Sequence, residues 1–414
     1  MKRLICIPCL ILIGAALLTN IGCIQREEEV TGNLSPKEEL GKRIFFDPNL
    51  SSPPVQSCSS CHAPETGWTG PTSDVNNFGA VYEGALSGRF GNRKPPTAAY
   101  AGFSPKLHRD EEGTFVGGMF WDGRASGHIL GDPLAEQAQG PFLNPLEQNL
   151  AVAKDVVTRV SESEYADLFR EVWGEDVFDL DDDKIYEYIA RSIAEFERSV
   201  EVNPFSSKFD DFWRQAKSKA LNVEEIDEEN WIQFRELGLS EDELKGLLLF
   251  NTTGKCADCH VLTSVDGNPP LFTDFTYDNL GVPKNPENPF YAMGVEWNPH
   301  QENWIDKGLG EFLAVSSEYS DYAVENIGKQ KVPTLRNVDM KSSPDFIKAF
   351  MHNGFFTSLK EVVRFYNTRD KEGEEWPAPE VAENMNTDEM GDLGLSEVEE
   401  DLIVLFMQTL TDIR

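Results

Sequence analysis

The amino-acid sequence predicts a mainly α-helical protein built from two homologous domains with long irregular loops. Three observations predict this fold class: a helix opening that occurs twice, a cysteine motif that occurs twice, and long segments rich in glycine, proline and asparagine with little periodicity. The chain has 414 residues, and one hydrophobic core rarely extends beyond about 250–300 residues. Hydrophobic residues make up 40% of the chain, which is enough for two cores and excludes wholesale disorder.

Residues 1–23 predict an export signal. Lys2 and Arg3 precede an apolar run over 4–18, which suits a signal peptide and is shorter than the roughly 20 residues that span a membrane. The run is followed by a Gly-Cys pair, and Cys23 resembles the lipid-bearing residue of a lipoprotein. A lipid anchor on Cys23, ordinary cleavage and an uncleaved anchor all stay open. The predicted location is therefore the periplasm, with or without a membrane tether.

The repeated helix opening divides the remaining chain into two domains. Each copy begins with a serine N-cap, and a glutamate three residues later completes a capping box. The two copies are offset by 205 residues, and the equivalent pairs are Ser35 and Ser240, Glu38 and Glu243, and Phe45 and Phe250. We therefore predict homologous domains at 34–222 and 223–414, with the acidic stretch 223–230 as the hinge.

Four of the seven cysteines form two C-x-x-C-H motifs, the spacing that attaches c-type haem. The first motif consists of Cys58, Cys61 and His62, and the second of Cys256, Cys259 and His260. A zinc ribbon needs its cysteine pairs roughly 15–20 residues apart, whereas these pairs lie 195 residues apart. A thioredoxin-like motif would not place a histidine directly after both pairs.

Each motif therefore predicts one covalently bound c-type haem in a cytochrome c-like domain. Two thiols at this spacing can add to the two vinyl groups of one haem, and the adjacent imidazole can then bind the iron. The predicted iron ligands are His62 and His260. Because bacteria attach haem to such motifs outside the cytoplasm, two c-type haems agree with the export signal.

The segments around the motifs alternate between helices and long loops. We predict helices over 181–202 and 204–217 and a final helix that starts at a capping box on Ser396. The loops over 64–118 and 263–340 are long for a compact protein, and such loops usually serve a function or surround a ligand. Two large haems would supply that ligand.

The charge balance excludes some partners. The chain has 37 Lys and Arg against 71 Asp and Glu, a formal net charge of -34. This balance argues against nucleic acid and against a charge-held position on anionic lipid, because both need clustered positive charge. It favours a basic redox partner, with strong salt dependence.

Three further motifs, read together with the two haem motifs, resemble the di-haem cytochrome c peroxidase/MauG family. They lie at Phe120–Arg124 (Phe-Trp-Asp-Gly-Arg), Val332–Val338 (Val-Pro-Thr-Leu-Arg-Asn-Val) and Met351–Gly354 (Met-His-Asn-Gly). The resemblance extends over nearly the whole chain from about residue 34 to residue 412. It implies a peroxidatic haem in the N-terminal domain and an electron-transfer haem in the C-terminal domain.

The resemblance also implies the state of the first haem. Peroxidases of the family often carry a distal histidine that precedes a segment resembling 92–97 here. The stretch 63–94 contains no histidine, and His108 follows the segment. We therefore expect a first haem that is open in the resting state, as in MauG, with neither His108 nor His128 on its iron.

By the same resemblance, Glu147 matches the catalytic glutamate and Gln137 the distal glutamine. A carboxylate over the iron can take the first peroxide proton and return it to the leaving oxygen. A plain exposed glutamate is the alternative for Glu147. Trp121 matches the aromatic residue that relays electrons between the haems, with simple packing as its alternative.

At the second haem the resemblance places Tyr366 where the peroxidases carry a methionine ligand and MauG carries a tyrosine. The alternatives are Tyr366 as a core aromatic, or Met293 or Met340 as the ligand. Arg124 and Arg336 are expected to pair with haem propionates, since guanidinium groups match carboxylates; surface ion pairs are their alternative. His352 is expected to be a buried structural histidine near the second haem.

Calcium between the domains is usual in the family, but the asparagine that binds it has no clear match near Tyr100, so calcium stays open.

The leading function that the resemblance implies is a periplasmic peroxidase that reduces hydrogen peroxide to water. Its electrons would come from a small cytochrome c or cupredoxin, enter at the second haem and pass Trp121. A MauG-like oxidase of a protein substrate and a non-enzymatic di-haem electron carrier are the alternatives. A homodimer also stays open.

Overall fold

The computed structural model describes residues 34–413, and this part of the chain is mainly helical. The helices are α1 Pro36–Phe45, α2 Ser73–Asn77, α3 Pro133–Leu143, α4 Ala153–Ser161, α5 Ala166–Trp173, α6 Asp182–Arg198, α7 Lys208–Ser218, α8 Glu241–Asn251, α9 Leu309–Val315, α10 Leu359–Thr368 and α11 Glu397–Gln408. The predicted export signal and Cys23 lie outside the described residues. Within residues 34–413, no helix is long and apolar enough to cross a membrane.

Within residues 34–413, the β-structure is limited to two antiparallel pairs of short strands. The strands are β1 His108–Arg109, β2 Phe115–Val116, β3 Tyr277–Asp278 and β4 Gln330–Lys331. Strand β1 pairs with β2, with His108 opposite Val116, and β3 pairs with β4, with Tyr277 opposite Lys331. Both pairs lie in the segments predicted as long loops, which are otherwise mostly irregular.

The capping boxes define the helix starts as the sequence predicts. Ser35 and Ser240 each accept a hydrogen bond from the backbone N–H of the glutamate three residues later, and that glutamate bonds back to the serine N–H. The helices predicted over 181–202 and 204–217 correspond to α6 and α7, and the predicted final helix is α11. Helices α3 to α5 were not predicted, because α3 contains an internal proline, Pro141, and α5 is short.

The internal repeat is visible in how the helices cross. Helix α1 packs on α6, and α8 packs on α11 in the same way. Gly41 and Gly246, which are also 205 residues apart, lie at these two crossings. A Cβ atom on Gly41 would lie 1.9 Å from the carbonyl oxygen of Ser192, and one on Gly246 would lie 2.0 Å from that of Leu402. Each crossing therefore requires glycine, and the two cytochrome c-like domains repeat this close contact.

A trio of aromatic rings lies beside each helix crossing. In the first domain the ring centroids of Phe45, Trp68 and Phe196 are 5.5 to 5.8 Å apart. In the second domain those of Phe250, Phe272 and Phe406 are 5.2 to 6.1 Å apart. These rings are fully or almost fully buried, and they connect the helix crossing to the loop that follows each haem motif.

The hydrophobic residues form two large clusters, one for each half of the chain. The first contains buried residues between Leu40 and Val202 together with Leu271, and the second contains residues between Phe209 and Leu410. Helix α7 packs in the second cluster, although the predicted boundary at 222/223 would assign it to the first domain. The packing therefore favours a boundary between Val202 and Phe209, and the domain limits stay a prediction.

We expect the substitution Gly246→Ala to destabilise the second domain, because the added Cβ would overlap the Leu402 carbonyl. Overpacking of this kind lowers the free energy of unfolding by about 1–3 kcal/mol. Thermal unfolding of the haem-loaded protein, followed by circular dichroism, would measure the change. Gly91→Ala is the matched control, since no described atom lies within 4 Å of a Cβ added there. Equal unfolding temperatures for the two variants would contradict the close crossing.

Candidate haem centres and active site

The first haem motif forms a short helical turn that presents both thiols and the imidazole. The turn Cys58–Ser60 is 3₁₀-helical, and the backbone N–H of His62 donates to the carbonyl of Cys58 at 3.0 Å. The Nδ1 atom of His62 lies 3.2 Å from the carbonyl oxygen of Trp68. Since a carbonyl only accepts, Nδ1 carries the hydrogen and leaves the Nε2 lone pair for iron. Burial lowers the pKa of His62 to about 4, which keeps the imidazole neutral.

The second motif repeats this arrangement. The N–H of His260 donates to the carbonyl of Cys256 at 2.9 Å, and Nδ1 of His260 lies 2.8 Å from the carbonyl oxygen of Phe272. Burial also lowers the pKa of His260. Trp68 and Phe272 both have left-handed backbone conformations, with φ of 60° and 55°. Both histidines are therefore oriented as neutral ligands with Nε2 available, which is what a c-type haem iron requires.

Two short segments hold the loops that carry these carbonyls. They are Lys94–Thr97 and Lys331–Thr334, and each has the pattern Lys-x-Pro-Thr. In the first segment, Thr97 Oγ1 donates a hydrogen bond to the Gly67 carbonyl at 2.7 Å. The Pro95 carbonyl of the same segment accepts a hydrogen bond from Thr69 Oγ1 at 2.7 Å. In the second segment, Thr334 Oγ1 donates to the Leu271 carbonyl at 2.6 Å, and the Val332 carbonyl accepts from Thr273 Oγ1 at 2.7 Å.

We call these two segments the Lys-x-Pro-Thr clasps. Their role in holding the proximal loops was missed from the sequence, although the pattern occurs twice and could have been found as part of the internal repeat. The clasps explain how two loops without regular structure can still hold a histidine in one orientation.

A deep, mostly apolar cavity lies at the second haem motif, and we call it the second cavity. It is lined by Cys256, Cys259, His260, Tyr366 and Trp121, and by apolar side chains that include Phe250, Val363, Ile403 and Met407. Residues of the first half, such as Thr69 and Lys94, complete one wall. The cavity combines two thiols, a neutral imidazole and an apolar lining, which fits a covalently attached haem.

Tyr366 lies on α10 and faces the same cavity. Its side chain is half-buried, and burial raises its pKa well above the ordinary value. Met293 and Met340 are buried elsewhere and do not line the cavity, whereas Met351, Met390 and Met407 do. The structure thus places Tyr366 beside the second haem motif, and its role as an iron ligand stays a prediction.

Trp121 is almost fully buried and lines the cavity at the second haem motif. Its indole Nε1–H donates to the carbonyl of Lys94 at 2.8 Å, in the first clasp. Its ring lies 6.4 Å from the ring of His352, measured between centroids, and both side chains line the second cavity. The indole therefore connects the clasp of the first haem motif to the cavity of the second, and its role as an electron relay stays a prediction.

A buried ion-pair network holds the segment that carries Trp121. Arg93 donates to both carboxylate oxygens of Asp306, at 2.6 and 2.7 Å, and to Asp122 at 2.6 Å. The guanidinium charge of Arg93 lowers the pKa of Asp122 and of Asp306 against the effect of burial. His352 Nε2 lies 4.0 Å from Asp306 and 3.9 Å from Glu380, which agrees with a buried structural histidine. Arg93 and Asp306 were not identified from the sequence.

Glu147 lies in the turn that follows α3. Its backbone N–H donates to the Asn144 carbonyl at 3.0 Å, and its own carbonyl accepts from Ala85 N–H at 2.7 Å. Burial raises the pKa of the Glu147 carboxyl, and the Arg124 charge partly offsets this effect. Burial raises the pKa of the Cys61 thiol and the Glu147 charge adds to this effect, so the carboxylate lies within electrostatic range of the first haem motif. Gln137 is half-buried on α3.

The two arginines expected at the propionates already have carboxylate partners. The exposed Arg124 pairs with Asp122 at 2.8 Å and lies over the ring of Phe120. Arg336 is fully buried and pairs through Nη1 with Asp210 at 2.7 Å. Among the described residues, its Nη2 has no hydrogen-bond partner, and Arg336 lines the second cavity. Arg336 therefore retains one donor for a propionate, and both assignments stay predictions.

His108 and His128 are both exposed and bonded to nearby backbone. Nδ1 of His108 lies 2.9 Å from the Lys106 carbonyl oxygen, and Nε2 of His128 lies 2.8 Å from the Leu107 carbonyl oxygen. In each imidazole, one ring nitrogen is thus hydrogen-bonded to the backbone just before β1. The expectation that neither histidine binds the first iron stays a prediction.

Comparison with known proteins agrees with this site. A family profile described as di-haem cytochrome c peroxidase matches residues 35–218. The methylamine utilization protein MauG of Paracoccus denitrificans is 31% identical, over 100% of this chain and 96% of that protein. The chain belongs to the di-haem cytochrome c peroxidase/MauG family. It therefore binds two c-type haems and is an oxidoreductase.

Further proteins that the chain is similar to are named as peroxidases. The cytochrome c551 peroxidase of Nitrosomonas europaea is 28% identical, over 82% of this chain and 75% of that protein. The crystal structure of the diheme peroxidase BthA from Burkholderia thailandensis matches with a TM-score of 0.72 and 27% identity, over 92% of this chain and 89% of that chain. The family membership thus confirms the fold and the cofactors, and leaves peroxidase and MauG-like activity to be distinguished.

Proposed function

We propose that this protein is a periplasmic di-haem peroxidase that reduces hydrogen peroxide to water with electrons from a small cytochrome c or cupredoxin. The observation that carries the proposal is the half-buried carboxyl of Glu147, whose charge acts on the Cys61 thiol of the first haem motif. Relatives named cytochrome c peroxidases and a structural neighbour named a diheme peroxidase support it. The acidic chain, with its net charge of -34, favours a basic electron donor.

Several residues would contribute to this activity in different ways. When bound, the haems supply the electron-transfer chemistry, and His62 and His260 hold their irons. Glu147 would accept one peroxide proton and deliver it to the departing oxygen, a role for which a carboxyl of raised pKa is suited. Gln137, on the helix before it, would hold the peroxide by hydrogen bonding. Trp121 would connect the two centres.

A MauG-like oxidase is the second candidate, and Tyr366 is the observation that favours it. A tyrosine at the second haem is a hard anionic donor that favours higher oxidation states of the iron. Such a centre would store oxidising equivalents for use on a protein substrate. MauG of Paracoccus denitrificans is also 31% identical over the whole chain.

Steady-state assays of the purified holoprotein would distinguish the candidates. We expect peroxide-dependent oxidation of reduced basic cytochrome c or cupredoxin, which weakens as the ionic strength rises. We also expect cyanide to change the optical spectrum, because the first haem is proposed to be open. A spectrum that neither cyanide nor peroxide changes would indicate an electron carrier and contradict both enzymatic proposals.

Replacement of Tyr366 by phenylalanine tests the proposed second-haem ligand. We expect Tyr366→Phe to convert the second haem from low spin to high spin, because phenylalanine has no donor atom, while both haems stay attached. Electron paramagnetic resonance of the oxidised protein would show the change. The control is Tyr82→Phe, because the Tyr82 hydroxyl accepts a hydrogen bond from the backbone N–H of Thr72 and is not proposed to bind iron. An unchanged low-spin signal in Tyr366→Phe would remove the assignment.

A further inference from the structure

Lys348 carries a buried ammonium group that is bonded entirely to backbone oxygen. Its Nζ donates to the carbonyls of Thr66 at 2.8 Å, Asn337 at 2.8 Å and Met340 at 3.1 Å. An ammonium group has three N–H donors, and here each has one carbonyl acceptor. No carboxylate of the described residues lies within ion-pair distance of Lys348. Burial lowers the pKa of Lys348 and the charge of Asp339 opposes this effect, so the three carbonyl dipoles and Asp339 together stabilise the ammonium.

The three carbonyls come from both halves of the chain. Thr66 lies in the loop that also carries Trp68, whose carbonyl orients His62. Asn337 and Met340 follow the second Lys-x-Pro-Thr clasp. The ammonium thus joins the proximal loop of the first haem to the segment that holds the second haem's loop.

Lys94 adds a second buried ammonium to the same region. Its Nζ bonds to Thr69 Oγ1 at 3.2 Å and to the Pro95 carbonyl at 3.1 Å. Its backbone N–H donates to the His352 carbonyl at 2.8 Å, and its own carbonyl accepts from Trp121. The Lys94 charge is close enough to lower the pKa of Lys348, in addition to the effect of burial.

These contacts do not fit a calcium ion between the domains. Calcium takes six to eight oxygen ligands and usually includes carboxylates. Within residues 34–413, the only close group of three metal-ligating side chains is Cys259, Asp278 and Glu389, and its thiol belongs to a haem motif. The carbonyls that join the two halves are already bonded to one ammonium, and the second lies near enough to repel a divalent cation.

We propose that the Lys348 ammonium is a built-in cation that links the two haem domains, and that this protein has no interdomain calcium. A carbonyl cluster at a domain contact needs a positive partner or hydrogen-bond donors, because buried carbonyls without partners are costly. A covalently tethered lysine supplies both and cannot be lost to a chelator. The inference holds for a peroxidase and for a MauG-like oxidase alike.

The test measures calcium and stability, so its outcome is independent of any enzymatic activity. Holoprotein purified without chelator would be analysed for calcium by mass spectrometry, and its thermal unfolding would be recorded with EGTA and with added calcium chloride. We expect less than about one-tenth of a calcium ion per chain, and an unfolding temperature that neither addition shifts. Stoichiometric calcium, or an unfolding temperature that EGTA lowers, would overturn the proposal.

Variants of Lys348 test the link itself. Lys348→Met removes the charge but keeps the length of the side chain, and we expect it to lower the unfolding temperature by several degrees. Lys348→Arg keeps a charged donor and is expected to lower it less. Lys154→Met is the matched control, because the exposed Lys154 on α4 takes part in none of the ion pairs of the described residues. An unfolding temperature of Lys348→Met equal to that of the Lys154→Met control would contradict the link. Should Lys348→Met fail to fold, the calcium analysis of the wild type and the unfolding temperature of Lys348→Arg still test the proposal.

Discussion

Glu147→Gln is expected to abolish peroxide turnover while both haems stay covalently attached. Glutamine matches the size of the carboxylate but cannot accept and return a proton. General acid–base catalysis typically contributes about 10²–10⁴-fold to a rate, so we expect a loss of that order. Steady-state turnover measures the loss, and the optical spectrum of the haem in pyridine measures attachment.

The control for Glu147 is Glu171→Gln, an exposed glutamate on α5 in the same domain. It is expected to keep wild-type turnover. The pH profile adds a second criterion, because only the ionised carboxylate can accept the peroxide proton. Wild-type turnover should therefore fall as the pH drops through the raised pKa of Glu147. Turnover in Glu147→Gln that matches the Glu171 control would remove Glu147 from the mechanism.

Trp121→Phe is expected to separate the reaction with peroxide from the supply of electrons. Phenylalanine is harder to oxidise than an indole, and it also lacks the N–H that bonds to Lys94. We expect peroxide still to change the spectrum of the first haem. Oxidation of the reduced donor should slow by on the order of tenfold or more, which corresponds to about 1.4 kcal/mol of barrier. Stopped-flow spectroscopy measures both steps.

Trp297→Phe serves as the control for Trp121, because the Trp297 ring lies under the guanidinium of Arg89 and does not line the second cavity. It is expected to leave both steps unchanged. Donor oxidation in Trp121→Phe at the wild-type rate would show that Trp121 is a packing residue.

The features of the fold that depend on local chemistry could be predicted from the sequence. Ser35 and Ser240 define helix starts because a capping box involves only neighbouring residues. The offset of 205 residues predicted the repeat, and Gly41 and Gly246 confirm it at the helix crossings. The place of α7 could not be predicted, because only tertiary packing decides which core a helix with Phe209 and Trp213 joins.

The candidate site was predictable where a motif carries its chemistry in sequence. The C-x-x-C-H motifs predicted two c-type haems, which the family membership confirms. His62 and His260 as iron ligands, and Glu147 as the catalytic carboxylate, stay predictions. The contacts between distant segments could not be predicted in this way. Arg93 with Asp306, and Lys348 with the Thr66 carbonyl, join residues more than 200 positions apart. Nothing in the local sequence distinguishes such a buried lysine from a surface lysine.

A single-turnover experiment tests the central proposal most directly. The holoprotein would be mixed with one equivalent of hydrogen peroxide, followed by reduced cytochrome c, while optical and near-infrared spectra are recorded. The peroxidase proposal predicts rapid oxidation of two cytochrome molecules per peroxide and return of the resting spectrum. A long-lived oxidised species that leaves the reduced cytochrome untouched would contradict it and favour the MauG-like oxidase.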